Sequence, residues 1–205
     1  MPNLLKNIIF AGPESVVKSA QVAELVDALV SNTSDSNIVP VRSRPWAQSL
    51  TRMSEKTKQS KEKQRAIDKR YLKMAGIWAT NSYCRRRKVG ALIVKDKMII
   101  SDGYNGTPSG FENECEDEQD NTKSYVLHAE ANAITKVAKS NNSSEGSTLY
   151  ITSSPCMECS KLIIQAGIRR VVFSDKYRIS DGLDLLKRAN IEVVYIPETE
   201  EDLSA

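Results

Sequence analysis

A layered α/β sandwich is the fold class that the sequence predicts, and three features predict it. From residue 128 onward, helix-like and strand-like segments alternate three times. A pair of strand-like runs stands before them around a Lys-Asp-Lys turn, and a helical segment stands before that pair. Repeated alternation brings strands side by side in parallel, joined by helices that cover the sheet.

Taken in order, AIDKRYLKMAGIWATNS (66–82) carries apolar residues at helical spacing. VGALIVKDKMIISDGY (89–104) reads as two strands around Lys95, Asp96 and Lys97. A long polar loop runs from Asn105 to about Lys123. HAEANAITKVAKS then suggests a helix, STLYIT a strand, CMECSKLIIQAG a helix, RRVVFS a strand, SDGLDLLKRAN a helix and IEVVYI a last strand. The domain so outlined spans 66–197, followed by an acidic tail at 198–205.

The first 52 residues have a different texture. AQVAELVDALV can form one amphipathic helix, but SNTSDSNIVPVRSRPWAQS is polar and aperiodic, as a linker is. AELVDAL and VRS also resemble the peptide encoded when a transfer-RNA gene is translated, which points to Met53 as the start of the protein; a disordered extension is the other reading. Residues 53–65 are expected to be a basic, flexible lead-in.

Composition narrows the function classes. No apolar run approaches the ~20 residues that span a bilayer, and the N-terminus lacks the pattern of a secretory signal, so a cytoplasmic protein is expected. A net charge of +3 is too small to indicate nucleic-acid binding. FENECEDEQD (111–120) holds six acids, which reads first as a solvated loop. Four cysteines without a secretory signal suggest thiol or metal chemistry rather than a disulfide framework.

His128 is the only histidine of the chain. Downstream, Cys156 and Cys159 stand three apart at the start of a predicted helix, so both sulfurs can face one ion. Pro155 suits the first helical position, and Ser153 or Ser154 the cap before it. One nitrogen and two thiolates make three zinc ligands, and a site with three protein ligands keeps a position open for catalysis. Cys84 and Cys115 lack ligand spacing. Glu130, two residues past His128, is then a proton shuttle rather than a ligand.

His128-Ala129-Glu130 followed by Pro155-Cys156-Met157-Glu158-Cys159 is the signature of zinc-dependent nucleobase deaminases. With GYNGTPSG (103–110), YVLHAEANAI (125–134), LYITSSPCMECSKLIIQAGI (149–168) and FSDKY (173–177), residues 67–197 resemble the deoxycytidylate deaminases. The resemblance implies a three-layer α/β/α sandwich with a mixed five-stranded sheet and one Zn²⁺ per subunit. It also implies hydrolysis of dCMP to dUMP and ammonia, with Glu130 moving the protons. Asn105, Ala129, Ser154 and Tyr177 are the substrate contacts it suggests. Homo-oligomers and the effectors dCTP and dTTP belong to the same expectation; the acidic segment 112–120 is the place for Mg²⁺ beside a triphosphate, with a solvated loop as the other reading.

Many members carry Ser-Arg-Asp-Pro where this chain has SYCRRR, so phosphate contacts do not transfer from that element. Arg85, Arg86, Arg87, Lys88 and Lys176 are the cations that can reach a phosphate. The alternatives are a deaminase of another base, including the tRNA adenosine enzymes, and a non-catalytic zinc module of the same fold.

Overall fold

The structure is a computed structural model that describes residues 45–177 and 180–197, with side chains from residue 52. Helix α1 spans Pro45–Ala79 and is followed by strands β1 (Gly90–Lys95) and β2 (Met98–Tyr104). Helix α2 (Ala129–Ala138), β3 (Thr148–Ser153), α3 (Met157–Gln165), β4 (Arg170–Asp175), α4 (Asp181–Arg188) and β5 (Glu192–Tyr195) complete the order.

The five strands form one mixed sheet in the order β2-β1-β3-β4-β5. β1 runs antiparallel to both β2 and β3, whereas β3, β4 and β5 are parallel. The hairpin turn is the predicted one: Asp96 and Lys97 both adopt positive φ, 50° and 65°, the backbone that lets a two-residue loop follow the twist of its strands.

Alternate residues of the central strands serve the two faces of the sheet. Ala91, Ile93, Leu149, Ile151, Val171 and Phe173 pack against α2, α3 and α4 through Ala133, Ile163 and Leu186. Leu92, Val94, Tyr150 and Val172 pack on the other face against Leu72 and Ala75 of α1. The result is the expected three-layer α/β/α sandwich. Gly90 admits α1 to this close packing, since a Cβ there would stand 2.0 Å from the Ala75 carbonyl oxygen.

The N-terminal reading needs correction. Residues 45–65, read as linker and flexible lead-in, are helical. Lys, Glu, Gln and Arg dominate 52–65, with neither Gly nor Pro; these are good helix formers, but they leave no apolar stripe for periodicity to detect. Residues 52–63 are exposed, and from Gln64 onward the chain forms a second compact unit. The possible helix near residue 20, the proposed start signature up to residue 43 and the acidic tail lie outside the described residues.

Candidate active site

The site lies where the carboxyl ends of the parallel strands β3 and β4 meet the N-termini of α2 and α3, the usual place for ligands in open α/β sheets. His128 is the N-cap of α2 and Cys156 that of α3. Both have extended backbone, with ψ of 156° and 173°, and neither side chain caps its own helix. Their carbonyls instead accept the first helical bonds, from Asn132 N–H at 3.0 Å and Ser160 N–H at 2.9 Å. Both side chains are thereby left to face each other.

This moves the start of α3: Pro155 is not its first residue, and neither Ser153 nor Ser154 is its cap. Ser154 is used otherwise. Its N–H donates to the Asp175 carbonyl at 2.8 Å, and its Oγ accepts the Tyr177 N–H at 2.7 Å, so it ties the end of β3 to the segment after β4.

His128 Nδ1 stands 3.5 Å from Cys156 Sγ and 3.4 Å from Cys159 Sγ. All three ligand atoms lie within 4.8 Å of one another. Tetrahedral Zn²⁺ with ordinary Zn–S and Zn–N bonds sets an N···S separation of about 3.6 Å, so the donor set fits the ion in type and spacing. Among the described residues no fourth His, Cys, Asp or Glu joins the group.

Cys84 and Cys115 are joined to each other as a disulfide. The thiol-or-metal reading therefore holds for two cysteines and fails for the other two. Sequence separation carries no sign of the pairing; the loop fold brings the two together.

Electrostatics agree with an ion-binding cluster. Hydrogen bonds from Cys159 and His128 draw the Cys156 thiol down to about 3. The Cys159 thiol is pushed up by its bond to Cys156 and by burial, because one proton remains between the two sulfurs. His128 is raised, chiefly by Cys156. A divalent cation replaces the shared proton and stabilises both thiolates.

Glu130, in the first turn of α2, is 4% exposed. Burial pushes its carboxyl up to about 7, against the pull of its own backbone N–H and of His128. It lines the same cavity as His128 and Cys156, a cleft of about 520 Å³, a size suited to a small molecule.

Asn105, Ser154 and Tyr177 line this cavity too, while Cys159 and Ala129, which are buried, do not. Asn105 braces the entry to β1: Oδ1 accepts the Val89 N–H and Nδ2 donates to the Arg87 carbonyl, both at 2.8 Å. Tyr177 is 45% exposed and lies under the Arg87 guanidinium, 5.6 Å from its ring centre. Of the candidate cations, Arg86, Arg87 and Lys176 line the cavity, whereas Arg85 turns away to Asp120 at 2.9 Å. Glu116 also lines it. Sequence reasoning passed over Glu116, which nothing distinguishes from the acids around it.

Residues 65–175 match the family described as the cytidine and deoxycytidylate deaminase zinc-binding region. The deoxycytidylate deaminase of Saccharomyces cerevisiae is 35% identical over 144 residues, which are 65% of this chain and 46% of the yeast protein. The chain thus spans less than half the length of that relative. The deoxycytidylate deaminase of phage T4 is 33% identical over 170 residues, 62% of this chain and 88% of the phage protein. In structure, the dCMP deaminase of cyanophage S-TIM5, crystallised with dCMP and dUMP, superposes with a TM-score of 0.63 at 48% identity, covering 64% of this chain and 97% of that one. With its sheet order, its His-Cys-Cys cluster and these matches, the chain belongs to the cytidine and deoxycytidylate deaminase family.

Proposed function

We propose that this protein is a zinc-dependent enzyme that hydrolyses dCMP to dUMP and ammonia, feeding thymidylate synthesis. The observation that carries the reading is the placement of Glu130: a buried carboxyl facing the same cleft as a three-ligand zinc cluster. A purely structural site has no use for it.

His128, Cys156 and Cys159 hold the ion, which when bound lowers the pKa of a water toward neutrality. Glu130 accepts the proton that the attacking water loses and delivers it to ring nitrogen 3 as oxygen adds to carbon 4. It then takes the remaining proton of the hydroxyl added at carbon 4 and passes it to the amino group, which leaves as ammonia as the carbonyl forms and the C–N bond breaks. The raised affinity of Glu130 for a proton suits a group that must both take and give one near neutral pH.

Around this centre, the Ala129 N–H at the start of α2 and the main chain at Ser154 read the edge of the base. Asn105 retains one amide hydrogen and one lone pair for the sugar while bracing β1. Tyr177 packs beside the nucleotide. Arg86, Arg87 and Lys176 supply the positive charge that a 5′-phosphate needs. Regulation by dCTP and dTTP and homo-oligomerisation complete the proposal by analogy with the family, and Mg²⁺ beside a triphosphate at the acidic segment 112–120 and a cytoplasmic location are proposed with them. No helix among the described residues is long and apolar enough to cross a membrane.

The test is release of ammonia from dCMP, deoxycytidine, cytidine and tRNA by the zinc-loaded full chain. Formation of dUMP, abolished by a chelator and restored by zinc, supports the reading. Deamination confined to the other substrates, or stoichiometric zinc with no deamination, overturns it.

A further inference from the structure

Two adjacent residues of the acidic loop bind the segment that leads into β1. Cys115 does so through the disulfide to Cys84. Glu116 does so through its carboxylate, which is 7% exposed although five other acids stand in the same stretch of ten residues. Its Oε1 accepts the N–H of Arg85 at 3.1 Å and of Arg86 at 3.3 Å, and its Oε2 accepts the Arg85 N–H at 3.2 Å. The Arg85 side chain approaches it no closer than 3.9 Å.

The loop is built to hold Glu116 there. The Lys123 N–H donates to the Cys115 carbonyl at 2.8 Å, Glu116 and Thr122 form a β-bridge, and Asp117 Oδ1 caps the turn between them. At the other end of the segment, Asn105 holds the Arg87 carbonyl and the Val89 N–H. Main chain 85–89 is thus pinned at both ends, while Arg86 and Arg87 line the cleft. Arg87 is already paired with Asp175. Arg86 makes no ion pair among the described residues.

A carboxylate is costly to bury, and this one is buried on main-chain donors. What it fixes is the backbone of two arginines that line the cleft, and a guanidinium fork discriminates phosphate only when it is placed accurately. We infer that Glu116 is a positioning residue for the nucleotide's phosphate: it sets the Arg86–Arg87 backbone and so selects a phosphorylated nucleoside over a free one. The inference rests on the dCMP reading above.

The test compares Glu116→Ala, Glu116→Gln and Arg86→Ala in the zinc-loaded full chain, using dCMP and deoxycytidine as substrates. For Glu116→Ala, KM for dCMP is expected to rise about tenfold or more with kcat changed less than about threefold, the size of losing charge-assisted hydrogen bonds. The loss of kcat/KM with deoxycytidine is expected to be about tenfold smaller. Glu116→Gln, which keeps one acceptor oxygen, falls between, and the double variant with Arg86→Ala loses less than the two single losses combined.

Equal losses on the two substrates, an unchanged KM for dCMP, or full additivity with Arg86→Ala overturns the inference. If Glu116→Ala does not fold, Glu116→Gln decides it by the same readings. Failure of the underlying reading shows separately, in a wild-type chain that does not prefer dCMP to deoxycytidine, and it removes the inference as well.

Discussion

Gly103 of β2 lies directly against Ala129 of α2: a Cβ on Gly103 would stand 2.2 Å from the Ala129 carbonyl oxygen and 2.6 Å from the Ala133 N. Both obstacles are backbone, so no rotamer change relieves them. Ala129 adjoins His128, and the contact therefore sets how deeply the imidazole reaches over the cleft. Gly103→Ala is expected to lower stability by about 3 kcal/mol and to weaken zinc binding. Urea denaturation and zinc per chain measure the two effects, and a variant equal to wild type in both contradicts the assignment.

The proposed role of Glu130 is proton transfer, not ligation of the ion, and under that proposal the two roles separate under mutation. Glu130→Gln is nearly isosteric and keeps the helix start intact. Turnover of dCMP is expected to fall by about 10³-fold, within the usual range for general acid-base groups, while zinc stays at one per chain. Loss of metal along with activity would instead make Glu130 part of the coordination.

Much of this site was legible because its chemistry dictates residue type at short range. A lone His, a Glu two residues on and a Cys-x-x-Cys pair admit few other uses, and the hairpin around Asp96 and Lys97 declares itself by polarity between apolar runs. Other features depend on the folded path. The helical stretch 52–65 escaped because its exposed residues carry no apolar period. The α3 cap shifted to Cys156 because tertiary contacts claim Ser154. Glu116 and the Cys84–Cys115 pair become visible only when the loop closes on the β1 lead-in.

The disulfide closes a loop between residues 31 apart, and in the chain-entropy account such a crosslink contributes about 3–4 kcal/mol by restricting the unfolded chain. Reductant is therefore expected to lower the melting temperature of the zinc-loaded protein by several degrees. In the unreduced chain, unfolded with chelator present, two thiols and not four are expected to react. Four reactive thiols, or superimposable melting curves, would remove the bridge from the account.

Asp68 provides a stability test remote from the chemistry. It is 2% exposed and receives hydrogen bonds at 2.8 Å from Tyr150 and from both terminal nitrogens of Arg170, and at 2.9 Å from Gln64. Burial alone raises its pKa, but the bonds from Arg170, Gln64 and Tyr150 outweigh burial, and the net shift is downward. A carboxyl whose folded pKa is depressed adds stability that is complete above its unfolded value, near 4, and is lost as pH falls through the folded value. Asp68→Asn leaves the half-buried Arg170 with Glu192, at 3.1 Å, as its remaining ion-pair partner among the described residues, and is expected to cost about 3 kcal/mol at pH 7. The gap between wild type and variant should shrink below about pH 4. Since Asp68 meets the first residue of β4 and the cleft lies at the other end of that strand, kcat for dCMP at temperatures well below melting should stay unchanged. A gap constant from pH 7 to pH 3 would show that the variant loses packing rather than the carboxylate's charge.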